Sequence, residues 1–362
     1  MGRRGRNRSP QAGFNDGVVR MMRLPRFVYK APRSVTEAVD ILASEGSHAM
    51  LVAGGTDVLP NMKRRQQTPS VLVGLRGVLE LKEVTAADGL TIGAGVTLSD
   101  VLEIPSLRER YTGLWQAVSQ IATPLLRNMG TLGGNLCLDT RCNYYDQTYE
   151  WRKAIDFCMK KDGETCWVAP SSRRCLAVSS TDAAPMLAAL GAVVRLRSAE
   201  RERRIPVADL YRNDGIDYLT RQRDELLAAV ELPASDGWRS SYWKLRRRGS
   251  FDFPVLSAAV AVQVAADGTV SSARVVLGAV QSAPVAASDA GQALVGNALT
   301  DATIAAAAEL AAHPARPMDN TDFSLVWRKR MVRELVSYAL REVRGDDVRE
   351  LRRRISRAAL LS

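Results

Sequence analysis

Leu51-Val52-Ala53-Gly54-Gly55-Thr56-Asp57-Val58 runs an apolar segment straight into two glycines and a polar helix start. Residues 50–53 suit a short buried strand, and 58–65 suit a helix. Strand, glycine turn and helix make an anion-binding arrangement. Glycines let the backbone approach a ligand, and N–H groups at a helix start favour phosphate. A tight structural turn would read the same way. A second turn, Gly130-Thr131-Leu132-Gly133-Gly134-Asn135, adds to the ligand reading. Two such loops can grip the two phosphates of one pyrophosphate. Neither loop is G-x-G-x-x-G, and neither is a P-loop closing on Gly-Lys-Ser/Thr.

Outward from these loops the chain reads as mixed α+β. Ser34-Val35-Thr36-Glu37 has capping-box spacing and opens a helix that Gly46 ends. Strands are expected at 71–73, 90–94, 193–196 and 225–232. Helices are expected at 98–104, 115–121 and 182–190. The polar, turn-rich stretch 234–241 reads as a domain boundary. Beyond it, 257–264 and 269–280 flank Asp267-Gly268, a strong hairpin signal. Helices are expected again at 302–312 and 324–341.

All five cysteines fall within 39 residues: Cys137, Cys142, Cys158, Cys166 and Cys175. Thiolates are ligands for soft metals and iron–sulfur clusters. Four could close one site and leave one spare. Chance clustering of inert buried thiols is the competing reading. The gaps contain no tight pair of the C-x2–4-C kind, which weakens structural zinc. The count is odd and no secretory signature precedes it, which weakens disulfides. A four-cysteine cluster tolerates irregular spacing. Six of the 21 aromatics also lie in residues 138–181, as an ordered segment requires.

The net charge is +11. Residues 1–26 hold seven Arg and one Asp, and residues 341–362 hold seven Arg and four acids. The basicity therefore sits in the tails, and no basic stripe interleaved with aromatics suggests nucleic acid. Arg3-Arg4 is not followed by an apolar export region. No run approaches the roughly 18 apolar residues of a membrane span. Absence of a membrane and a cytoplasmic location are the expectations. Only two histidines occur, His48 and His313, and neither lies in the glycine loops. Histidine acid–base chemistry is not the theme; holding cofactors is.

Residues 51–61 and 131–135 resemble the two FAD-pyrophosphate loops in the flavin subunits of molybdenum hydroxylases. That family includes xanthine dehydrogenase and carbon monoxide dehydrogenase. Cys137-Leu138-Asp139-Thr140-Arg141-Cys142-Asn143-Tyr144-Tyr145, with the later cysteines, resembles one branch, the beta subunits of 4-hydroxybenzoyl-CoA reductases. The resemblance covers about residues 24–341. It implies a two-part α+β FAD-binding domain, then a smaller α/β domain with an antiparallel sheet. It implies FAD contacts at Leu51, Val52, Ala53, Gly54, Gly55, Thr56, Asp57, Val58, Thr131, Leu132, Gly133, Gly134 and Asn135. Asp182, Leu227 and Lys244 are implied as further flavin contacts. Cys142, Cys158, Cys166 and Cys175 are implied as ligands of a [4Fe-4S] cluster, with Cys137 outside it.

The domain boundaries follow. Residues 1–21 read as a disordered basic extension and 22–235 as the FAD-binding domain, with an iron–sulfur insertion at 137–180. Residues 236–345 read as the C-terminal flavoprotein domain and 346–362 as a basic tail. The resemblance further implies an electron-transfer subunit with no catalytic residue of its own. Its partners would be a large molybdenum-cofactor subunit and a small subunit with two [2Fe-2S] clusters, in a dimer of heterotrimers. Ferredoxin would donate electrons for reductive dehydroxylation of 4-hydroxybenzoyl-CoA to benzoyl-CoA. A related hydroxylase acting on another aromatic or heterocycle is the alternative within the family. A non-catalytic, zinc-stapled binding protein is the alternative outside it.

Overall fold

Ser34 opens the first helix, Val35–Glu45, by accepting the Glu37 N–H on its hydroxyl at 3.1 Å. The Glu37 carboxylate accepts from the Arg33 N–H at 2.7 Å rather than from Ser34. The capping box is thus displaced by one residue on its return arm. Gly46 ends the helix with φ of 54°. The chain then enters the strand Ala49–Val52. The computed structural model describes residues 23–249 and 251–357. The expected extension at 1–21 lies outside the described residues.

Among the described residues, three sheets organise the chain. The first is parallel, with Val71–Gly74 between Val28–Lys30 and Ala49–Val52. Its central strand is buried along its whole length, as a strand covered on both faces must be. Ala49–Val52 delivers the first glycine loop at the carboxyl edge of this sheet, where open α/β sheets place their ligands. The second sheet is antiparallel, in the order Val84–Ala86, Gly89–Gly93, Leu226–Pro233, Val193–Arg197, Glu202–Pro206. Gly89–Gly93 pairs with Leu226–Pro233 through Leu90 opposite Leu232 and Ile92 opposite Val230. That pairing closes over the second glycine loop and the cysteine segment, which lie between the two strands in the chain.

The third sheet is antiparallel, in the order Val285–Ala286, Val270–Gly278, Leu256–Val264, Trp238–Leu245. The helix Leu325–Arg344 packs on it through Val332, Leu335 and Val336, and Asp301–Ala311 packs against that helix, with Ile304 and Ala307 in the same buried cluster. Arg328 is fully buried and donates to the carbonyls of Val255, Met318 and Ala279 at 2.7–2.9 Å. Those bonds compensate its lost hydration and tie the helix to the sheet.

Several elements differ from the sequence expectation. The stretch 234–241 is not all turn, because the strand Trp238–Leu245 begins inside it. Ser240 and Ser241 disguise the strand, and only pairing with Leu256–Val264 defines it. The edge strands Val84–Ala86 and Glu202–Pro206 are too exposed to show an apolar pattern. The stretch read as a tail after 345 includes a helix, Arg349–Ser356. It docks by Arg352, which pairs with Glu342 and lies 4.3 Å over the Trp243 ring. Among the described residues no helix is long and apolar enough to cross a membrane.

Candidate functional site

The two glycine loops face each other across a cleft of about 460 Å³. Their contact requires glycine. A Cβ on Gly54 would stand 1.8 Å from the Met129 carbonyl oxygen, and Gly55 has φ of +73°. Each loop feeds a short helix, Val58–Lys63 and Leu132–Leu136. Thr131 caps the second, its hydroxyl accepting the Gly134 N–H at 3.1 Å. A Cβ on Gly134 would meet only that hydroxyl within 4 Å, so its outer side is free for a ligand. Asn135 is locked by its side-chain oxygen, which accepts from Thr181 Oγ1 at 2.7 Å and the Ala183 N–H at 3.2 Å.

Leu51, Ala53, Gly54, Gly55, Thr56, Asp57 and Val58 line the cleft, as do Thr131, Gly133, Gly134, Asn135, Asp182 and Leu227. Three expected contacts stand behind the wall. Val52 does not line the cleft, although Leu51 and Ala53 on either side of it do. Leu132 is fully buried in the main core. Lys244 sits beneath Asp182, its ammonium 3.0 Å from one carboxylate oxygen, while Tyr242 donates to the other at 2.7 Å. Burial pushes the Asp182 carboxyl up and the Lys244 ammonium down, and their pairing opposes both shifts. Lys244 thus positions Asp182 rather than facing the ligand.

The cleft has lining residues that the sequence reading missed. Asp139, Arg141 and Cys137 belong to the start of the cysteine segment, and Arg248, Phe251 and Phe253 to a loop after Trp238–Leu245. Arg141 stacks on Phe253 at 4.6 Å and pairs with Asp57. Asp139 and Arg141 stand in the sequence between Cys137 and Cys142, so their place beside the first cysteines is visible along the chain. The loop carried none, since its role depends on where the third sheet places it.

Cys142, Cys158, Cys166 and Cys175 are all buried and free of disulfides. Cys142, Cys158 and Cys175 share one apolar cluster with Tyr145 and Ala177. Burial pushes the Cys142 thiol up to about 12, with Cys175 and Cys158 nearby adding to the rise. Cys175 is pushed up to about 11 by burial, and Cys166 and Cys158 act on it in the same sense. Cys175 is thus the member near Cys142, Cys158 and Cys166 alike. Among the described residues, no three His, Cys, Asp or Glu side chains are set to hold a single ion. The Ala177 N–H points at Cys175 Sγ at 3.4 Å, the kind of bond that stabilises a ligating thiolate. Cys137 stands apart, on the flavin side.

Comparison with known proteins agrees with this geometry. Residues 23–235 match the FAD binding domain in molybdopterin dehydrogenase, and residues 240–343 match the CO dehydrogenase flavoprotein C-terminal domain. The chain is 33% identical over 325 residues to the aldehyde oxidoreductase FAD-binding subunit PaoB of Escherichia coli, covering 86% of this chain and 98% of that protein. It is 27% identical to the nicotine 6-hydroxylase medium subunit of Paenarthrobacter nicotinovorans, covering 87% and 96%. A structure of carbon monoxide dehydrogenase from Hydrogenophaga pseudoflava superposes with a TM-score of 0.74 at 26% identity, covering 90% of this chain and 99% of that one. The fold and cleft are thus those of a flavoprotein, and the chain belongs to the FAD-binding family of molybdopterin dehydrogenases. More narrowly, it is the flavin subunit of a molybdenum hydroxylase family oxidoreductase. The cleft suits FAD: two facing glycine loops at helix starts, an open side at Gly134, and a buried Asp182 at one wall.

Proposed function

We propose that this chain is an electron-transfer subunit carrying FAD in the glycine-loop cleft and a [4Fe-4S] cluster on Cys142, Cys158, Cys166 and Cys175. The observation that carries the cluster is the set of four buried, disulfide-free thiols beside the flavin cleft. When bound, the two cofactors supply one- and two-electron transfer. The protein's own residues hold and insulate them. Gly55 and Gly134 let the backbone approach the pyrophosphate, Asp182 is held rigid by Lys244 and Tyr242, and Tyr145 walls the cysteines from water. Partners would be a large subunit with the molybdenum cofactor and a small subunit with two [2Fe-2S] clusters. A cytoplasmic dimer of heterotrimers is the assembly to test by native mass.

Aldehyde oxidation is the first substrate class, supported by the near full-length likeness to the PaoB subunit. Reductive dehydroxylation of 4-hydroxybenzoyl-CoA with reduced ferredoxin is the second, supported by the resemblance of the cysteine segment. Anaerobic purification of the native complex, with iron, flavin and molybdenum counted, tests the cofactors. Turnover with aldehydes against turnover with 4-hydroxybenzoyl-CoA separates the substrates. Stoichiometric zinc without iron would reject the cluster. Turnover by this chain alone would reject the subunit reading.

A further inference from the structure

Lys160 has no role in the site as described so far, yet its ammonium is among the most enclosed in the chain. Its side chain is 6% exposed. It donates to Asp139 Oδ1 at 2.8 Å, to Thr140 Oγ1 at 2.7 Å and to the Gly215 carbonyl at 2.6 Å. It also lies 4.8 Å from the centre of the Tyr145 ring and 5.5 Å from that of Tyr218. These partners form the partition between the two sites. Asp139 and Tyr218 line the flavin cleft. Tyr145 belongs to the cysteine cluster. Gly215 donates its N–H to the Cys175 carbonyl at 2.9 Å, and a Cβ on Gly215 would stand 2.7 Å from Cys175 Sγ.

The two ends of the ion pair are placed differently. The carboxylate belongs to a residue that lines the flavin cleft and is also held by Tyr145, while the ammonium hangs on the carbonyl of Gly215, whose Cα side packs against Cys175 Sγ. Asp139 is held from its other oxygen by the Tyr145 hydroxyl at 3.1 Å and Gln67 Nε2 at 3.2 Å, so the pair cannot turn. A fixed dipole in a partition of low polarity acts strongly on charge that changes nearby. Reduction adds a negative charge to whatever the four thiolates hold. The ammonium is the end that reaches the Gly215 backing of Cys175, and a positive charge there favours that reduced state; second-shell groups of this kind set cluster potentials.

We propose that the Lys160–Asp139 pair is an electrostatic positioning element that raises the reduction potential of the centre held by the four cysteines relative to the flavin. The proposal rests on the reading that this centre is an iron–sulfur cluster. Its test is potentiometric titration of the anaerobically purified full chain, with iron and FAD counted first. The flavin midpoint in the same titration is the internal reference. Lys160→Gln combined with Asp139→Asn removes the dipole without stranding a buried charge. That double variant should keep both cofactors and move the iron–sulfur midpoint to more negative potential relative to the flavin. Lys160→Arg, which keeps the charge, should preserve the wild-type spacing. An unchanged spacing in the double variant would overturn the proposal. So would the same shift in Lys160→Arg, or loss of either cofactor from the double variant, because the pair would then serve shape and not potential. A wild-type chain without iron would overturn the cluster reading together with it, before any variant is compared.

Discussion

Arg141 is ion-paired with Asp57, so the residue before Cys142 holds the last residue of the first glycine loop. The same Asp57 carboxylate accepts the Asp139 N–H at 3.5 Å, and Arg141 also reaches Asp146 at 3.2 Å. Asp146 in turn accepts the Cys142 N–H at 3.1 Å. The flavin loop and the cysteine segment are thus one charged, hydrogen-bonded unit.

Arg141→Gln should loosen that unit on both sides. Hydrogen bonds to charged groups contribute about 1.5–3 kcal/mol. Loss at the low end predicts FAD affinity falling roughly tenfold. Flavin fluorescence during dilution or dialysis measures it, and unchanged retention of FAD would refute the coupling.

Gly54 and Gly134 should fail differently. Gly54→Ala drives a methyl group into the Met129 carbonyl and should destabilise the chain itself. Gly134→Val meets little protein but occupies the ligand side. It should give a chain with wild-type circular dichroism and no FAD. Stoichiometric FAD in that variant would count against the pyrophosphate assignment.

Serine at Cys142, Cys158, Cys166 or Cys175 should strip most of the iron while FAD largely stays. Cys137→Ser should keep both, because Cys137 lines the flavin cleft and is half-buried where the other four are buried. Iron lost from Cys137→Ser but kept in Cys142→Ser would reverse the ligand assignment.

Lys244→Met should strand the Asp182 carboxylate, which is 3% exposed. Breaking a buried pair from one side costs about 3–5 kcal/mol. Burial already raises the folded-state value of Asp182 above its unfolded value, and removing the Lys244 ammonium raises it further. Its contribution to stability is fully present below the unfolded carboxylate range and is lost as pH rises through the raised folded value. Thermal unfolding of Lys244→Met should therefore worsen from acid toward neutral pH. Adding Asp182→Asn should recover most of the stability. A flat profile in the single variant would show that the pair is not the buried ion pair described.

The sequence by itself determined the local elements and the two glycine loops. Capping at Ser34, termination at Gly46 and the turn at Asp267-Gly268 depend on neighbours within a few residues, so they are legible along the chain. The same holds for Gly54, Gly55, Gly133 and Gly134, whose chemistry is their missing side chain, and for five cysteines crowded into one segment. Tertiary structure alone decided which residues share a wall. Trp238–Leu245 is a strand because Leu256–Val264 pairs with it. Lys244 was read as a flavin contact, yet packing places it under Asp182. Lys160 and Asp139 are 21 positions apart, and their bond joins two sites only because Gly215, from a distant loop, closes the partition behind Cys175. Contacts at that separation leave no periodic trace in the chain, since they are set by how the sheets and loops pack and not by local conformational preference.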